Sequence, residues 1–147
     1  MKRRTLMQIV DSESIKRAIQ SAETRTSGEI RVSVSPFFWG NVEKIARRAF
    51  TRLGMTSTRE RNGILFFVVP PRRRFAVIGD KGIHEKVGQE FWDRLAATLS
   101  VRFRAGKFTE GLVEAITECG EQLAAHFPYD RKTDVNELPD EIDFGNG

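Results

Sequence analysis

Ile15, Ala18, Ile19 and Ala22 recur at the three- and four-residue spacing that places them on one side of a helix, behind Asp11 and Ser12, which suit a first-turn cap. This predicts a helix over 12–26, stopped by Gly28. Positions 29–35 then alternate. Ile30, Val32 and Val34 fall on one face and Glu29, Arg31 and Ser33 on the other, the period of a half-buried strand. Val42, Ile45, Ala46, Ala49 and Leu53 form a second helical stripe, capped by Asn41 and closed by Gly54, with Arg47, Arg48 and Arg52 outside it. Positions 64–69 are apolar without interruption and rich in aromatic and β-branched residues, which marks a strand covered on both faces. After the Pro70-Pro71 turn, 75–78 is another apolar run, so the two strands form an antiparallel hairpin that Gly79 and Gly82 end.

Beyond the hairpin, Val87, Phe91, Trp92, Leu95 and Leu99 share one broad side of a long helix over 84–103, broken at Gly106. Thr109 is placed to cap a last helix whose face is Leu112, Ala115, Ile116, Cys119 and Leu123. The order α-β-α-β-β-α-α, with a central strand that needs two covers, predicts an α/β fold: a three-layer α/β/α sandwich around a small mixed sheet. No internal repeat or low-complexity segment interrupts it.

The 147 residues, 39% hydrophobic and 30% charged, suit one globular domain over 1–129. The net charge of +4 hides an asymmetry, because residues 130–147 hold six acids against Arg131 and Lys132 and leave +8 on the body. The tail is expected to dock in part on that body through Leu138, Pro139, Ile142 and Phe144. The basic start is followed by too short and polar a run for a signal peptide, and no apolar stretch approaches the ~18 residues of a membrane span. A single cysteine, Cys119, excludes an internal disulfide, and a cytoplasmic monomer is the expectation.

Strand directions carry the candidate chemistry. A one-helix crossover makes the first two strands parallel and the hairpin reverses the third. Glu29, Glu60, Arg61, Asn62 and Asp80 therefore reach the same rim of the sheet, with Glu85 just beyond. Glu85, Gln89 and Asp93 follow at four-residue intervals on one side of the long helix. Oxygen ligands gathered from several loops are what Ca²⁺ or Mg²⁺ requires, so Glu29, Glu60, Asp80, Glu85 and Asp93 are the candidate metal ligands. The alternative is ordinary ion pairing with Arg61 and Lys81.

Thr26-Ser27-Gly28-Glu29-Ile30-Arg31-Val32, Arg61-Asn62-Gly63-Ile64-Leu65, Gly79-Asp80-Lys81-Gly82-Ile83 and Phe103-Arg104-Ala105-Gly106-Lys107-Phe108-Thr109-Glu110-Gly111-Leu112, in this order, resemble the TPM domain family over most of residues 10–127. The acidic end, from Asp134 to Gly145, resembles the tail of its short cytoplasmic branch. The resemblance implies an α/β/α sandwich. It also implies, from some relatives, divalent ions held by loop carboxylates, from a chloroplast-lumen branch acid phosphatase activity, and from others accessory roles in membrane complexes. Many relatives place an aspartate shortly after the glycine-rich turn, where this chain has Gln89.

The expected function is a divalent-cation-binding accessory or regulatory module. The alternatives are a metal-dependent acid phosphatase, with Arg61, Lys81 or Arg72, Arg73 and Arg74 clamping the phosphate, and a polyanion-binding module favoured by the pI near 9.6. No residue identifies itself as a nucleophile. His84 and His126 are solitary, and no zinc spacing or Gly-x-Ser-x-Gly elbow is present. Nucleic acid is the weaker partner class, and Phe37, Phe38 and Trp39 form an aromatic loop suited to covering the core end or meeting a protein.

Overall fold

A strand buried along its whole length needs neighbours on both edges and cover on both faces, and β2 (Gly63–Val69) is such a strand. In the computed structural model, which describes residues 9–129 and 140–145, it lies between β1 (Glu29–Val34) and β3 (Arg74–Gly79). β1 is parallel to β2, with Glu29 opposite Gly63 and Val32 opposite Phe66; β3 is antiparallel, with Val77 opposite Phe66. The helices are α1 (Ser12–Glu23), α2 (Val42–Arg52), α3 (Lys81–Arg104) and α4 (Phe108–His126).

The two sheet faces differ in weight. α2 covers one, setting Ala46, Ala49 and Phe50, together with Met55, against Leu65, Phe67, Val69 and Ile78. The other carries the larger core, where Ile30, Val32, Ile64, Phe66 and Val68 meet Ile15 and Ile19 of α1, Leu95, Leu99 and Phe103 of α3, and Leu112, Ile116 and Leu123 of α4. This is the three-layer mixed α/β sandwich that the patterning predicts. Cys119 lies inside the larger core, and burial pushes its thiol pKa up, so it serves as a small apolar residue.

Local chemistry accounts for the helix ends and corrects three expectations. Asp11 caps α1 through the Ser14 N–H and Asn41 caps α2 through the Lys44 N–H. The third helix begins at Lys81, not at 84, because Asp80 supplies its cap, so Gly82 belongs to the helix and not to the hairpin's end. It is also interrupted at Gly88, whose φ of 77° only glycine adopts readily. Thr109 does not cap α4. Its hydroxyl accepts the Asp11 N–H at 3.0 Å, tying the start of α1 to that of α4.

Residues 140–145 run along the outer edge of β1. The Val34 N–H donates to the Asp143 carbonyl at 2.7 Å and the Asp143 N–H to the Val32 carbonyl at 2.9 Å. Phe144 is buried in the larger core and Ile142 packs against it, while Leu138 and Pro139 lie outside the described residues. Asp143 also accepts from Ser33 and Arg52; burial opposes its ionisation, but these bonds outweigh it and hold the carboxyl below its usual range.

Candidate functional site: a basic cleft at the sheet rim

The beginning of β2 and the end of β3 are locked together by three contacts. The Asp80 N–H donates to the Gly63 carbonyl at 2.9 Å, the Gly82 N–H donates to the Arg61 carbonyl at 2.8 Å, and the Arg61 guanidinium grips Asp80 through Nε at 2.6 Å and Nη2 at 2.9 Å. Arg61 sits in the left-handed region at φ 52°, which costs a non-glycine residue about 1 kcal/mol. That conformation accompanies both the return bond from Gly82 and the bidentate grip on Asp80. Two of the sequence motifs thus form a single interlock.

Beside the interlock, on the α2 side of the sheet, lies a cleft of about 490 Å³. Arg47 and Thr51 come to it from α2, Thr56 from the following turn, Arg61 and Asp80 from the rim, and Lys81, His84 and Gln89 from α3. Arg47, Arg61 and Lys81 line the cleft with one carboxylate among the described residues, that of Asp80, which is 7% exposed and paired with Arg61, while Arg47 is paired along its own helix with Glu43 at 2.9 Å. The Asp80 charge raises the pKa of Arg61, chiefly through their hydrogen bond. Asp80 engages Nε and Nη2 of the guanidinium and so fixes its plane, leaving the Nη1 hydrogens directed away from the pair. The chemistry of such a surface suits an anion.

The five predicted metal ligands have different surroundings. Asp80 is bonded to Arg61 and to the Lys81 N–H. Glu60 is exposed and accepts from the Ser27 hydroxyl at 3.2 Å. Asp93 accepts from Gln89 at 3.0 Å, and Glu85 is exposed on the first turns of α3. Glu29 is buried, and its charge acts on Glu23 at the end of α1. Among the described residues no three His, Cys, Asp or Glu side chains gather closely enough to hold a metal ion.

Glu29 instead belongs to a second feature. Glu23 accepts the Ile30 N–H at 2.9 Å and hydrogen-bonds to Asp140 of the C-terminal segment. Burial first, then the bond to Asp140, then the Glu29 charge push the Glu23 carboxyl up to about 10. The folded state therefore keeps a proton that the unfolded chain releases near pH 4.5. The resulting stabilisation is complete below that pH and is lost as pH rises toward 10. Thermal melts of the wild type between pH 5 and 9 should show a midpoint that falls with pH, and Glu23→Gln should flatten that slope. Equal slopes in both proteins would remove Glu23 as the cause.

Thr51 and Thr56 carry no site reading in the sequence, and Arg47 enters there only with Arg48 and Arg52 as the basic helix face that favours a polyanion. The one signal was spacing, because Arg47 and Thr51 lie four apart and so share a side of α2. Glu23 had no signal beyond its position at the end of a helix.

A family model for the TPM domain matches residues 4–122. The BA42 protein of the psychrophilic bacterium Bizionia argentinensis has a similar structure, with a TM-score of 0.84, 37% identity, and coverage of 91% of this chain and 92% of that one. The N-terminal domain of the cg2496 protein from Corynebacterium glutamicum has a TM-score of 0.60 at 14% identity, covering 76% of this chain and 70% of that one. The N-terminal domain of a protein from P. gingivalis has a TM-score of 0.60 at 20% identity, covering 80% of this chain and 76% of that one. These last two share the fold. No curated protein matches the chain. With a family model spanning most of its length and a 37% identical neighbour of the same architecture, the chain belongs to the TPM domain family.

Proposed function

We propose that this protein is a binding module of TPM type whose rim cleft takes a small phosphate-bearing anion. The observation that carries the reading is the convergence of Arg47, Arg61 and Lys81 on one cleft whose one carboxylate among the described residues, Asp80, orients Arg61. A planar guanidinium held by a carboxylate is pre-organised, so less side-chain freedom is lost when it meets a phosphate oxygen.

A divalent cation fits this reading in one way. Asp80 is the carboxylate within the cleft, and a Mg²⁺ or Ca²⁺ ion arriving with the anion would take most of its ligands from phosphate oxygens and water. The cation predicted from the sequence then depends on the anion.

Calorimetric titration with inorganic pyrophosphate, repeated with Mg²⁺, Ca²⁺ and EDTA, tests both parts. Saturable binding that weakens at least tenfold in Lys81→Ala and in Arg47→Ala is expected, and divalent ions should tighten it. A ligand present at a hundred times its dissociation constant should also raise the stability of the folded state by about 2.7 kcal/mol. Pyrophosphate binding that ignores both substitutions would place the anion elsewhere, and no binding at all would end the reading.

A further inference from the structure

At the other end of the sheet from the cleft, the chain leaving β1 and the turn between β2 and β3 build a tip with a different chemistry. Trp39 is 80% exposed and Phe37 55% exposed, their rings meeting edge to face at 6.3 Å. Phe38 between them turns inward against the α2-side core, which fixes the loop and holds its two neighbours out in solvent. The guanidinium of Arg72 stands 5.1 Å from the centre of the Phe38 ring and that of Arg74 stands 5.9 Å from it. Arg73 lies between them in the left-handed conformation, φ 50°. Two exposed aromatic rings therefore project beside three consecutive exposed arginines.

We infer that this aromatic and arginine-rich tip attaches the protein to an anionic lipid surface, with Trp39 and Phe37 entering the headgroup region and Arg72 and Arg74 meeting the phosphates. Aromatic rings favour the boundary between water and acyl chains, and each cation close to an anionic leaflet contributes to binding. Two rings on a narrow projection present far less area than the ~800 Å² per partner of a specific protein interface, whereas a bilayer asks only for shallow insertion. Cation–π contact with Phe38 also pre-positions the arginines beside the inserting rings. The tip lies opposite the rim, so attachment leaves the cleft open to solution.

The chain has two tryptophans, Trp39 exposed and Trp92 buried, so a change in indole emission that Trp39→Ala abolishes reports the tip. The full chain should be mixed with phosphatidylcholine vesicles, with and without phosphatidylglycerol, and followed by emission and co-sedimentation. With phosphatidylglycerol, the emission should shift to shorter wavelength and the protein should sediment. Trp39→Ala should lose the shift, and Arg72→Ala/Arg74→Ala should bind on the order of tenfold more weakly, with circular dichroism unchanged in both. Three outcomes would overturn the inference: no sedimentation with anionic vesicles, equal binding to neutral ones, or undiminished binding by the arginine variant. A Trp39 shift produced by single-stranded RNA or by a protein, without any by vesicles, would overturn it too.

Discussion

Phe66→Ala should lower the stability of the folded protein by about 3–5 kcal/mol, among the largest losses expected from any single truncation in this chain. Phe66 is fully buried at the centre of the middle strand, with Val32 and Val77 as its register partners. Its ring lies in the core shared by α1, α3 and α4, which one face of the sheet must keep dry. Truncation leaves a cavity that the rigid strands on either side cannot close. Since a domain of this size is stable by only about 5–15 kcal/mol, the melting temperature should fall by on the order of 10 °C, and urea unfolding should show the midpoint move without a change in slope. A loss below about 1 kcal/mol would mean that Phe66 is not packed in the core described.

Gly82→Ala should be the most damaging single methyl in the chain. A Cβ at this position would come within 2.2 Å of the Glu60 carbonyl oxygen and 2.6 Å of that of Arg61, and both are backbone atoms held by the β2 register. A side chain could swing away from such a contact, but the main chain cannot do so without breaking the bond from the Gly82 N–H to Arg61. Overpacking of this kind costs about 1–3 kcal/mol and sometimes more. The expected signature is double: reduced stability together with loss of pyrophosphate affinity, because Arg61 is displaced from Asp80. Gly79→Ala provides a contrast. There the new methyl would meet the Trp92 ring at 2.4 Å, so it should perturb the core while leaving the Arg61–Asp80 pair formed. If Gly82→Ala bound pyrophosphate as the wild type does, the interlock would have no part in shaping the cleft.

The sandwich was legible because its strands and helices carry undiluted patterns. The apolar run of β2 required two covers, and the Asn41 cap and the Gly54 stop fixed α2 at both ends. The errors cluster where one residue serves two elements. The charge and glycine-flanked turn of Asp80 suggest a ligand, and nothing in them announces that its carboxylate both opens α3 and holds Arg61. Gly82 looked like a turn residue, yet it is glycine because α3 passes so close to the preceding loop. Gly88 gave no sign of its kink, since an isolated glycine within an amphipathic stretch is compatible with an unbroken helix.

Several residues that carry the family resemblance have architectural duties. The Thr26 hydroxyl is bonded to the Phe127 carbonyl and accepts the Gly28 N–H, and a side chain at Gly28 would collide with Leu123. Gly106 takes a φ of 76° at the corner between α3 and α4, and Gly111 lies against Arg102. These motifs identify the fold because they hold its layers together, and for that reason they say little about a ligand. The cleft itself was harder to find. Arg47 and Thr51 read as the solvent side of a helix, and only the tertiary placement of α2 over the rim brings them to Arg61 and Lys81. The setting of Glu23 is equally hidden, because its partner Asp140 is more than a hundred positions away along the chain.

The central claim is that the rim of the sheet is an anion receptor built around Arg61. Amide chemical-shift mapping during a pyrophosphate titration of the full chain tests it most directly. The account predicts saturating shifts concentrated at Arg61, residues 79–84 and the Arg47 turn of α2, with β1 and the aromatic tip unmoved. Shifts centred on the arginines at 72–74, or an unchanged spectrum at millimolar pyrophosphate, would contradict it.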